Sequence, residues 1–318
     1  MAAIQDARGV PTSATVQASL TGYETALRQF QGYRGDPMAS IDAVLATDPE
    51  FVMGHVLRAA LMVSMWERSL LGEIRVTLRG LDDLAARANE RERAWMAALA
   101  SWAGGDWEGM RLRLDRLLAD HPRDALALQL GHLADFCMGD RENLRGRIAR
   151  ALPAWSRDVP GYGFVLGMQA FGLEECGDYG AAEEYGRAAL DIETDDGWAH
   201  HAVTHVMEMQ GRQTEGLAWM ESRQSHWAQA DNTFAFHNWW HTALFQLDRD
   251  NVEAALSIYD RAIRPADSQV QLEMVDATAL LWRMHLRRID VGDRWRSLAD
   301  AYDGRTSRVS THSTICTR

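Results

Sequence analysis

The sequence predicts an all-α solenoid of stacked helix pairs, and three observations carry that prediction. Leu, Ala, Arg, Glu and Met fill the runs between breaks, and these residues favour helix. Alternating Val, Ile and Thr runs of the kind that read as strands are almost absent. A small turn, most often Gly followed by Asp, recurs at Gly35-Asp36, Gly105-Asp106, Gly139-Asp140, Gly177-Asp178, Gly211-Arg212 and Asp250-Asn251. Successive turns lie 70, 34, 38, 34 and 39 residues apart, so the first interval spans two units. Where the turn is Gly-Asp, the Gly supplies the left-handed residue that ends one helix and the Asp after it caps the next; Asp250-Asn251 and Gly211-Arg212 vary that pattern.

Composition bounds the functional classes. The 318 residues are 47% hydrophobic and 25% charged, enough for a large core. A net charge of −12 excludes a general nucleic-acid binder, which needs a surplus of positive charge. No apolar run approaches ~18 residues, so no membrane span is expected. Met1 to Val16 is polar and small, without the apolar centre of a signal peptide. The three cysteines, Cys137, Cys176 and Cys316, form no Cys-x-x-Cys pair, which fits a reducing compartment. A cytoplasmic protein is expected, with no nucleic acid and no membrane among its partners.

Along the chain, residues 1–16 are expected to be a disordered arm, 17–302 the solenoid, and 303–318 an atypical, disordered tail. Helix pairs begin near Ser19, with the period blurred between Met53 and Glu92. Clearer repeats run from Arg93 to Ala266, a further helix covers about Gln269 to Arg288, and the pattern fades after Asp290. The best unit is Gly163 to Asp196, where Gly177-Asp178-Tyr179 opens a helix carrying Ala181, Ala182, Tyr185, Gly186 and Ala189. Small residues there let two helices approach closely. Asn251 to Ala262 repeats the pattern, and Gly105 to Ala119 is a looser version.

The chemistry concentrates in His200-His201-Ala202-Val203-Thr204-His205-Val206-Met207-Glu208 and its echo His237-Asn238-Trp239-Trp240-His241. A spacing of four puts His201 with His205, and His237 with His241, on one helix face, one turn apart; Glu208 shares the face of His205. Two such pairs plus a Glu supply five candidate ligands from neighbouring helices, and neutral imidazole suits Zn, Fe, Ni or Cu. The pattern is not His-Glu-x-x-His, because the Glu falls outside the pair. The opposing reading is that the histidines are packed and bonded to one another and to Glu208. His200 points about 100° away from His201 and reads as a surface or packing residue. Phosphate-cradling loops, nucleophile elbows and dinucleotide fingerprints are absent from the sequence.

Gly177-Asp178-Tyr179 to Leu190 resembles the tetratricopeptide repeat, whose period is 34. That resemblance implies that the first helices of successive pairs line a concave groove. Counted back from Gly211, it places Trp198, His201, His205 and Glu208 on the groove; counted from Gly177, it adds Phe164, Gly167, Phe171 and Glu174. More specifically, His201 to Met209, Glu215 to Glu221, His237 to His241, Ala254 to Asp260, Met274 to Arg283 and Val291 to Trp295 resemble the tetratricopeptide repeat protein 38 family. The similarity spans about Ser19 to Tyr302 and is densest from Gly197 on. It implies the helical-repeat fold and no established reaction. Family members continue with a motif like Phe-Asn-Asp-Leu-His-Ala, whereas this chain ends Ser313-Thr314-Ile315-Cys316-Thr317-Arg318. One codon choice for His312 to Arg318, CAT TCA ACG ATC TGC ACG CG, encodes that motif when read from its third base. A frame slip between about Asp303 and His312 is therefore hypothesised; a DNA codon set that cannot encode the motif would overturn it.

The functional expectation is a binding module whose groove takes a small ligand or an extended peptide. Trp198, His201, His205, Glu208, His237, Asn238, Trp240, His241, Phe171 and Glu174 are its candidate contacts. The alternative is an enzyme in the same groove, with His201, His205, Glu208, His237 and His241 holding a divalent transition metal such as Zn or Fe, or acting as acid and base.

Overall fold

The computed structural model describes residues 4–303. The unusual ending and the suspected frame slip fall at 303–318, of which all but Asp303 lie outside the described residues. The first half contains α1 (Gln17–Gly32), α2 (Pro37–Thr47), α3 (Val52–Ser64), α4 (Leu71–Asp83), α5 (Glu90–Ala103), α6 (Trp107–Asp120), α7 (Ala125–Met138) and α8 (Arg141–Ala151). The second contains α9 (Tyr162–Glu175), α10 (Tyr179–Leu190), α11 (Gly197–Met209), α12 (Gln213–Ser222), the single turn α13 (Gln224–Trp227), α14 (Ala235–Asp248), α15 (Val252–Ile258), α16 (Gln271–Leu286) and α17 (Arg294–Asp303). The protein is an all-α helical-repeat solenoid, as expected. The helix α17 lies beyond Asp290, where the sequence pattern had faded; Leu298 and Ala301 bury one face of it.

The turns follow the expected chemistry with one adjustment. Gly35, Gly105, Gly139, Gly177 and Gly211 all take positive φ, from 67° to 86°, and Asp250 does the same at 59°. Asp36, Asp106 and Asp140 accept from the backbone N–H three residues on and cap α2, α6 and α8. Asp178, Arg212 and Asn251 make no side-chain cap bond. For Arg212 the reason is chemical, because a guanidinium has only donors.

Helices α9, α11, α14 and α16 form an inner row in which each touches the next. Their partners α10, α12, α15 and α17 pack outside. Glycines set the approach: a Cβ on Gly186 of α10 would stand 2.6 Å from Val203 Cγ2, and one on Gly216 of α12 would stand 2.3 Å from the Phe245 ring. This row carries all the candidate site residues.

Two features run against the sequence reading. First, the solenoid folds back on itself. The Tyr33–Gly35 turn after α1 meets the 231–233 loop, with Thr233 N–H donating to Tyr33 O at 2.8 Å and Gly35 N–H to Asp231 O at 3.0 Å. Arg34 pairs with Asp231, and Arg28 with Glu193. The tip of α1 therefore reaches the inner row, and Tyr33 stacks on Trp198 at 5.7 Å between ring centroids.

Second, the expected disordered arm over 1–16 is ordered from residue 4. Strands β1 (Ile4–Gln5) and β2 (Pro11–Thr12) form a short antiparallel hairpin. Its polar residues find partners that the sequence could not show. Arg8 is buried and forks onto Glu24 of α1 at 2.7 and 2.8 Å, with Asp6 at 3.0 Å. Ser13 donates twice to Glu92 of α5. Arg8→Ala is expected to cost about 1–3 kcal/mol, because it strands buried carboxylate acceptors. Limited proteolysis checks it: cleavage before Gln17 should rise at least tenfold, and an unchanged rate would mean that Arg8 does not hold the arm.

Candidate metal centre

Helix α11 begins at Asp196, whose carboxylate accepts from the N–H groups of Trp198 and Ala199. Burial pushes that carboxyl up to about 7 against the pull of these two donors. One and two turns on, α11 presents His201 and His205. The neighbouring α14 presents His237 and His241. The four imidazoles meet: one ring nitrogen from each lies within 4.8 Å of the others. His201 Nε2 is 3.0 Å from His237 Nε2, which is 3.3 Å from His241 Nε2.

Carboxylates stand behind three of the rings. His237 Nδ1 is 2.7 Å from Asp276 Oδ2 on α16. His241 Nδ1 is 2.6 Å from Glu208 Oε2 on α11. His205 Nδ1 is 3.2 Å from Glu174 Oε2 on α9. A carboxylate oxygen accepts, so Nδ1 of His237 and of His241 carries the proton and Nε2 is left with a lone pair. His201 has no such partner, and its Nδ1 is buried without a hydrogen bond.

The electrostatics follow burial. Desolvation, reinforced by the neighbouring histidines, holds His201 well below its ordinary pKa. Burial and the charge of His205 likewise hold His241 low, and it stays a neutral donor to Glu208. Burial opposes ionisation of Glu208, but the His241 contact outweighs it and keeps the carboxyl low. His205 is the exception: burial lowers it, while Glu174, Glu208 and Glu175 together raise it.

The environment is apolar on one side and open on the other. The His201 ring is walled by Phe171, Trp198 and Phe234, with centroids 5.1 to 5.2 Å away. His237 stacks on Trp240. The expected contacts Phe171, Trp198, Asn238 and Trp240 are all buried, and they pack around the imidazoles instead of lining an open channel. The surface left for a ligand belongs to His205, His237 and Glu208, whose side chains are 24%, 22% and 26% exposed. His200, read as surface or packing, is packed: Nδ1 faces Asp196 O, and Nε2 accepts from Arg223.

Asp276 is the residue that the sequence reading missed. A signal existed, because each carboxylate sits about one repeat from its histidine: 39 residues for Asp276, 33 for Glu208, and 205 − 174 = 31 for Glu174. The irregular segment after α15, a π-turn over Tyr259–Ile263 and a 3-10 turn over Pro265–Asp267, hid the register needed to extend that rule from α14 to α16.

No family model matches the chain. Among solved structures it is similar to one described as the crystal structure of the P58(IPK) TPR domain at 2.5 Å, at 13% identity over 92% of this chain and 93% of that chain, with a TM-score of 0.31. At that score the likeness carries no argument, and the fold class rests on the helix pairs and glycine turns described above. Those define an all-α helical-repeat protein. None of its described helices is long and apolar enough to cross a membrane.

Proposed function

We propose that this chain is a TPR-like protein that binds one divalent transition ion through His201, His205, His237 and His241. The observation that carries the reading is the convergence of Nε2 lone pairs. His237 and His241 each commit their Nδ1 proton to a carboxylate, yet their Nε2 atoms face one another at 3.3 Å. Two lone pairs at that range repel, and a cation between them removes the conflict. Ligand atoms about 2.0–2.1 Å from a tetrahedral zinc stand about 3.3–3.4 Å apart, close to the 3.0 and 3.3 Å that separate His237 Nε2 from His201 and His241. Carboxylates on the far nitrogens fix ring orientation and raise ligand basicity, as outer-shell partners of metal-bound histidines do.

An extended peptide is the less favoured ligand, because the tip of α1 reaches the inner row that such a peptide would need. The partly exposed edge at His205 and His237 suits a water or a small molecule as a further ligand of the ion, which is where a hydrolytic role would act. Membership of the tetratricopeptide repeat protein 38 family and a cytoplasmic setting belong to the same proposal.

Elemental analysis of purified, untagged protein tests the reading, with His205→Ala as control. Near-stoichiometric Zn, Fe, Ni or Cu is expected in the wild type, falling to under a tenth in the variant. Absence of bound metal after incubation with each ion in turn would overturn it.

A further inference from the structure

Glu174, Glu175 and His205 form a second group of potential ligands, with one atom from each within 4.8 Å of the others. This group adjoins the four-histidine cluster and shares His205 with it. Glu174 differs from the other carboxylates that stand behind a histidine. The contacts of Asp276 and Glu208 are hydrogen bonds of 2.7 and 2.6 Å. The His205–Glu174 approach is longer, at 3.2 Å, and Glu174 Oε2 is buried with no hydrogen-bond partner. Glu174 is only 5% exposed. Glu174 has its one ion-pair contact, among the described residues, with His205, and the charge of Arg141 reaches Glu175.

A buried carboxylate oxygen without a hydrogen bond is costly, and native structures pair such groups or set them on metal ions; Glu174 Oε2 has only the longer His205 contact. Two ligands of one ion, each about 2.0–2.2 Å away, stand about 2.9–3.5 Å apart at ordinary coordination angles. The 3.2 Å gap between His205 Nδ1 and Glu174 Oε2 falls in that range. With Nδ1 turned to Glu174, Nε2 is the nitrogen that His205 has left for the other histidines.

We infer that the centre holds two divalent ions, the second bound by Glu174, Glu175 and His205 Nδ1, with the His205 ring bridging the pair as imidazolate. The inference rests on the four-histidine site proposed above. Binding the second ion breaks the Nδ1–H bond of His205; the proton leaves to solvent, and the ion takes its place. No oxidant or reductant is involved. The second ion has two carboxylates and one nitrogen, a harder set than the first, so Zn or Mn suits it.

Zinc titration followed by dialysis and elemental analysis tests this, with copper titration read by electron spin resonance beside it. Wild-type protein is expected to retain two zinc ions, and Glu175→Gln to retain one. With copper, the second equivalent should reduce the integrated spin signal of the wild type, because an imidazolate bridge couples the two spins. In Glu175→Gln that drop should vanish. Retention of one zinc by both proteins, or of two by both, overturns the inference while leaving the four-histidine site intact. No retained zinc and no copper signal in either protein overturns both readings.

Discussion

Replacing Asp135 with alanine is expected to destabilise the protein by about 3–5 kcal/mol, the cost of removing one partner from a buried ion-pair network. Asp135 on α7 is fully buried and serves two guanidinium groups from the flanking helices. Arg111 Nε on α6 donates to it at 2.7 Å; Arg147 on α8 donates through Nε at 2.7 Å and Nη2 at 2.9 Å. The Arg147 side chain is itself 0% exposed, and room for it comes from Gly131, where a Cβ would stand 2.8 Å from Nε. In the alanine variant Arg147 keeps only Asp115, and Arg111 keeps Glu108 and Asp140, all nearer the surface. The solenoid should then lose the joint between α6, α7 and α8. Urea unfolding monitored by circular dichroism gives the check. A midpoint shift worth less than about 1 kcal/mol would show that the two arginines relax to water at little cost. Asp135→Asn keeps the shape and loses the charge, and it should fall between the two.

How much of this was legible follows from the range over which each signal acts. The helix pairs and both His-x3-His faces were readable because turn glycines and a four-residue spacing are local, and a helix fixes what they mean. Convergence of the two pairs was readable because neighbouring repeats stack in register. Asp276 was not, since the irregular turns between α15 and α16 break the count from His237. The N-terminal hairpin was not, since Arg8 and Ser13 are polar residues whose partners, Glu24 and Glu92, are fixed only by tertiary packing. The burial of Trp198 and Phe171 was not, because the groove rule assumes an open superhelix. Here the turn after α1 returns to the 231–233 loop and covers Trp198, while His132 and Phe136 of α7 pack on Phe171.

His201→Phe is expected to separate binding from folding, because its two effects have opposite signs. His201 is the one imidazole of the four without a carboxylate partner, and its buried Nδ1 makes no hydrogen bond. An unsatisfied buried polar atom costs about 1–3 kcal/mol; phenylalanine brings none and suits the wall of Phe171, Trp198 and Phe234, but it also removes the 3.0 Å contact of His201 Nε2 with His237 Nε2. The larger ring returns some of that gain as overpacking. Metal-free variant should therefore be no less stable than metal-free wild type by more than about 1 kcal/mol. With metal present the order reverses. An ion at a thousand times its dissociation constant stabilises the wild type by about 4 kcal/mol, and a variant lacking one of four ligands should lose most of that. Thermal unfolding with chelator and with excess zinc gives the four values needed. Packing alone predicts that zinc shifts neither protein and that the variant differs from wild type by the same amount in both conditions. Crossing of the two orders is the signature of a residue kept for its ligand, because only an ion that binds the folded state supplies the stabilisation that His201 otherwise lacks.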